Sequence, residues 1–99
     1  MAVMEISIVP IGTKETSVSK YVAEAYKAIK DRDDINVLLT PMGTTLEGEL
    51  KNLYEAAQEM QEAVFATGMK RVYTVIKIDD RRDNPHPMSE KTKAVMEKL

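Results

Sequence analysis

The densest chemistry in this sequence lies in Leu39-Thr40-Pro41-Met42-Gly43-Thr44-Thr45-Leu46-Glu47-Gly48. Thr40, Thr44 and Thr45 bring hydroxyls that both donate and accept hydrogen bonds, Glu47 brings a negative charge, and Met42 brings an adaptable apolar surface. Pro41 fixes φ and Gly43 relieves the steric limit next to it, so the segment reads as a hairpin turn near Pro41 with polar groups in and beside it. Turn chemistry plus an acid at the start of the following helix accounts for the same residues in purely structural terms.

A second charged segment, Lys77-Ile78-Asp79-Asp80-Arg81-Arg82-Asp83-Asn84, suits ligand contact, a solvated loop or a salt-bridge cluster between subunits. Elsewhere catalytic material is sparse. The single histidine, His86, sits between two prolines with no second histidine for a metal pair or a relay, and a general base needs a partner that orients it. Cysteine is absent, which removes thiolate catalysis, disulfides and Cys-based metal sites. Glu55, Glu59 and Glu62 stand at helical spacing, as on a solvated helix face. The seven methionines read as core filling, and Gly12 and Gly43 are isolated glycines that form no phosphate loop. The expectation is a binding protein without catalytic, metal or resident cofactor sites.

The elements that position these residues follow from periodicity. Residues 2–10 alternate, with Met4, Ile6 and Ile8 on one side and Val3, Glu5, Ser7 and Val9 on the other, which predicts a strand. From Ser17 the period lengthens through Val18, Tyr21, Val22, Ala25, Ala28 and Ile29, an amphipathic helix with Thr16 or Ser17 as N-cap. The Asp31-Arg32-Asp33-Asp34 run predicts a solvated turn. Ile35 to Thr40 and Thr44 to Leu46 form the hairpin strands. After Gly48 a long helix carries Leu50, Leu53, Ala57, Met60 and Val64 on one stripe and ends at Gly68. Lys70 to Ile78 is a further strand, Asp79 to Pro87 a polar loop, and Ser89 to Leu99 a final helix.

The order β-α-β-β-α-β plus a terminal helix predicts an α+β, ferredoxin-like sandwich: one domain over residues 1–99, with a four-stranded antiparallel sheet. Right-handed crossovers place both long helices on one face. The open face then carries Val3, Val9, Tyr73 and Val75, more apolar area than a solvated face needs, and a chain this short buries only roughly 60% of its unfolded surface. Self-association is therefore expected. The net charge of −2 gives no broad footprint for nucleic acid, and Tyr73 is almost alone where an RNA-binding sheet of this order needs stacking aromatics. No apolar run approaches the roughly 20 residues of a membrane helix, and the N-terminus alternates without a basic leader, so the expected address is the cytoplasm.

Four segments together resemble the small thiamine-binding-protein family: Ile6-Ser7-Ile8-Val9-Pro10-Ile11-Gly12, Ser17-Val18-Ser19-Lys20-Tyr21-Val22, the Leu39-to-Gly48 hairpin, and Lys77-Ile78-Asp79-Asp80-Arg81-Arg82. The T-P-M-G-T followed by E-G is the most specific piece. The resemblance implies a ferredoxin-like domain that assembles into dimers and tetramers and binds thiamine or its hydroxymethylpyrimidine part without established catalysis. For such a ligand the candidate contacts are Thr40, Met42, Gly43, Thr44, Thr45 and Glu47, with Tyr21 or Tyr73 as aromatic walls. Because strand residues alternate in direction, these cannot all line one cavity unless a second subunit closes it. A ligand-sensing module acting on a protein partner, and an enzyme whose site assembles carboxylates and Arg81 at a subunit interface, are the rival readings.

Overall fold

The computed structural model describes residues 1–83 and 86–99, so Asn84, at the end of the charged stretch, and Pro85, beside His86, lie outside the described residues. Four strands, β1 (Ala2–Pro10), β2 (Ile35–Thr40), β3 (Gly43–Gly48) and β4 (Val72–Asp79), form an antiparallel sheet in the order β2-β3-β1-β4. Helices α1 (Ser19–Ile29) and α2 (Leu50–Phe65) are the two crossovers, and α3 (Met88–Met96) follows β4. This is the ferredoxin-like sandwich with an additional C-terminal helix.

The period of two in β1 decides where the core sits. Met4, Ile6 and Ile8 are buried and meet Leu46 of β3, Ala25 and Ile29 of α1, and Leu53, Ala57, Met60 and Val64 of α2. The central position of β1 follows from this, because only a strand flanked on both sides buries its whole inward row. The edge strand β4 is covered less completely. Thr74 donates to Gln61 Oε1 of α2 at 2.6 Å, yet Ile76 and Ile78 on the same side stay exposed.

Three local expectations need correction. Helix α1 begins at Ser19, two residues later than predicted, and its N-cap is Val18, without a side-chain cap. Ser17 stands one position before that N-cap and accepts a 3.4 Å bond from the N–H of Ser19, the first helical residue. Glu47 belongs to β3, and it is Glu49 that stands at the N-cap position of α2, without a side-chain capping bond. The turn after α1 is also more than solvated. Arg32 bonds both carboxylate oxygens of Asp34, at 2.9 and 2.6 Å, and reaches Glu59 at 2.7 Å and Glu55 at 3.3 Å on α2. Those glutamates face Arg32 across the two helices.

This clamp makes a pH prediction. The Arg32 guanidinium beside Asp34 holds that carboxyl below its ordinary value of 3.8. A depressed folded-state value stabilises the fold above the unfolded value, and the contribution disappears as pH falls through the lower, folded-state one. Arg32→Met is expected to cost about 1 kcal/mol at neutral pH, the upper end for exposed pairs. Its melting temperature is also expected to fall less than the parent's between pH 5 and pH 2.5, read by circular dichroism.

Candidate functional site

The hairpin turn is Pro41-Met42, and neither residue takes a positive φ. Two-residue hairpins usually rely on positive φ to match strand twist, and Pro41 forbids it. The turn is fastened differently: the Thr40 hydroxyl donates to the Gly43 carbonyl oxygen at 2.7 Å. Gly43 sits against β1, where an added Cβ would stand 2.9 Å from the Ile6 carbonyl oxygen. A side chain there would push the hairpin off β1.

A recess of about 140 Å³ opens where this turn meets α1 and the end of β1. Chain geometry explains it. The 11 residues of α1 rise roughly 16 Å, whereas the nine of β1 span roughly 30 Å, so the helix cannot cover the strand's far end. Ile8, Val18, Val22, Ala25 and Met60 form apolar walls, and Thr40, Pro41, Met42, Gly43 and Thr44 form the hairpin side. Thr44 points into the helix layer and is only 3% exposed; its hydroxyl bonds none of the described residues and, since no buried side-chain polar atom among them lacks a partner, reaches solvent. No lining side chain is an acid, an amine or an imidazole.

The structure thus brings Thr40, Met42, Gly43 and Thr44 together at the recess. Thr45 and Glu47 lie elsewhere. Both follow the strand alternation onto the open face, where Thr45 pairs with Glu5, and Glu47 pairs with Val3 and Asn36. The Glu47 carboxylate is 4% exposed and accepts the Asn36 side-chain amide at 2.7 Å and the Met88 backbone N–H. It closes the N-terminus of α3, where a helix favours negative charge. Tyr21 packs on the core beneath Lys20, and Tyr73 is exposed on the open face, so neither is a wall of the recess. Met42 is 83% exposed at the mouth.

Sequence reasoning missed Ile8, Val18, Val22, Ala25 and Met60 as lining. Each belongs to an apolar stripe that reads as core, and the only signal of a gap is a helix too short for its strand. The charged segment after β4 pairs within itself: Arg82 bonds Asp80 at 2.8 Å and Arg81 bonds Asp83 at 3.0 Å. Lys91 of α3 reaches Asp79 at 2.7 Å, and His86 Nδ1 lies 2.7 Å from Glu90. Among the described residues, no group of three or more His, Cys, Asp or Glu is placed to hold a metal ion, and no helix is long and apolar enough to cross a membrane.

A family model described as thiamine-binding protein matches residues 4–96. The chain belongs to the thiamine-binding protein family. Among its relatives, the UPF0045 protein in the glkA 3′ region of Staphylococcus xylosus is 46% identical, over 96% of this chain and 92% of its own. The UPF0045 protein YqgV of Bacillus subtilis is 42% identical, over 100% of this chain and 98% of its own. A hypothetical protein from Methanocaldococcus jannaschii superimposes with a TM-score of 0.87 at 40% identity, covering 97% of this chain and 96% of that one. A Thermotoga maritima protein, whose name proposes a role in thiamine biosynthesis or salvage, shares the fold with a TM-score of 0.77 at 19% identity, covering 95% of this chain and 97% of that one. Family membership suggests a thiamine-related small-molecule ligand.

Proposed function

We propose that this family member binds thiamine, or its hydroxymethylpyrimidine part, in the recess beneath the Pro41-Met42 turn, and that it does so without catalysis. The observation that carries this reading is Thr44, whose hydroxyl makes no protein hydrogen bond yet keeps access to solvent, at the edge of a largely apolar recess. Water satisfies that hydroxyl when the recess is empty, and the polar edge of an aminopyrimidine supplies both the donors and the acceptors that can replace it. The size agrees. At about 140 Å³ the recess falls below the roughly 300–1,000 Å³ of pockets that enclose a drug-sized ligand, so it suits one ring and leaves the remainder outside. The absence of an acid, amine or imidazole in its lining favours binding over turnover. Calorimetric titration tests the reading: saturable binding of thiamine or hydroxymethylpyrimidine, with both recovered unchanged, is expected. Absence of binding to either, or product above the uncatalysed background, would overturn it.

The same reading includes a homo-oligomer, a dimer or tetramer. Val9, Tyr73 and Val75 form an exposed apolar cluster on the open face, Leu38 adds to that face, and Ile76 and Ile78 extend the apolar surface round the β4 edge. A monomer rarely leaves so many apolar side chains of one sheet in water, and an uncovered edge strand templates pairing. Light scattering at micromolar concentration is expected to find an assembly that Val75→Glu dissociates, because the change places an unpaired charge in a packed contact. A monomeric parent protein, or an unaltered assembly in the variant, would contradict this.

A further inference from the structure

The recess does not end at its mouth. Val18, Val22, Thr40 and Pro41 also line a second, wider depression of about 720 Å³ between α1 and the outer edge of β2. Helix α1 lays out its chemistry in order along this groove. Val18 and Val22 stand at the recess, half-buried Tyr26 stands midway, and Lys27 and Lys30 stand at the far end. From Val22 to Lys30 the helix rises roughly 12 Å.

The charge of the groove is one-sided. Its lining includes two lysines and no carboxylate. Lys27 shares only an exposed 3.5 Å contact with Glu24, and among the described residues Lys30 has no ion-pair partner. Free thiamine, a cation, gains nothing from those two ammonium groups. A phosphate ester of the same molecule does, because the ester carries its negative charge at the end remote from the pyrimidine. The tyrosine between recess and lysines suits the cationic second ring, which an aromatic face attracts.

We propose that recess and groove form one continuous site for a phosphorylated thiamine: pyrimidine in the recess, thiazolium at Tyr26, phosphate between Lys27 and Lys30. This rests on the function proposed above and specifies the chemical form of its ligand. Lys27 and Lys30 are ligand-binding residues that select the ester over the free vitamin.

Calorimetric titrations of the full chain with thiamine, thiamine monophosphate and inorganic phosphate, on the parent and on the Lys27→Met/Lys30→Met double variant, test it. The monophosphate is expected to bind the parent on the order of tenfold more tightly than thiamine, as two partly exposed ion pairs allow. Inorganic phosphate alone is expected to show no saturable binding. In the double variant the ester's advantage over thiamine disappears. Equal affinities in the parent, an ester preference that survives in the variant, or inorganic phosphate binding as tight as the ester would each overturn the inference. If thiamine binds and phosphorylation adds nothing, only the extension along α1 fails. If neither compound binds, the recess reading fails with it.

Discussion

Glu47→Gln is expected to lower stability by about 1.5–3 kcal/mol and to loosen α3, while affinity for the recess ligand stays unchanged. The carboxylate accepts two donors at once, the Asn36 amide on β2 and the Met88 N–H at the start of α3. A glutamine amide of the same shape presents an oxygen to only one of them and has no charge to strengthen that bond, so at buried Glu47 the anchor of α3 weakens. Helix α3 has no buried residue of its own, which leaves the polar anchors at Glu47 and Asp79 to hold it. Thermal melting reports the stability loss, and faster hydrogen exchange at the Met88 amide reports the released helix. Glu47 lies three residues past Thr44, roughly 10 Å along the strand, so ligand affinity is the quantity that separates anchor from contact. A variant that melts like the parent but binds more weakly would place Glu47 in the site instead.

Val22→Phe is expected to weaken thiamine or hydroxymethylpyrimidine binding by about 30- to 150-fold, the equivalent of losing roughly 2–3 kcal/mol of ring burial. Val22 lines both the recess and the groove, so a phenyl ring there occupies the space the ligand's ring would take. The side chain enters an existing void, and the fold is expected to keep its stability to within about 1 kcal/mol. Titration and melting on the same preparation distinguish an occupied recess from a damaged fold. Unchanged affinity would remove the recess from the account.

The contrast between these two positions shows what one sequence makes legible. Alternation in β1, the helical stripe of α2 and the Pro41-to-Gly43 turn are local patterns, each written within a few residues of where it acts, and they yield the element order and the sheet. The hairpin side of the recess is legible for the same reason, since Thr40, Gly43 and Thr44 meet through short-range turn geometry. Glu47 shows the limit. Its residue type marks it as chemically active, but its partner Met88 is 41 positions away, and nothing local says which helix end it serves. Arg32 likewise finds Glu55 and Glu59 at separations of 23 and 27. The recess is harder still to read, because it is space left by a short helix over a long strand, and Val18, Val22 and Ala25 look like any buried stripe until that mismatch is built.

The most direct test of the central claim is a residue-resolved map of amide chemical shifts while hydroxymethylpyrimidine is titrated into the isotopically labelled protein. The account predicts the largest changes at Val18, Val22, Gly43 and Thr44, where the ring would lie, with Asn36, Glu47 and Met88 unmoved. Changes centred on Asn36, Glu47 and Met88, or no saturable change at the hairpin, would contradict it.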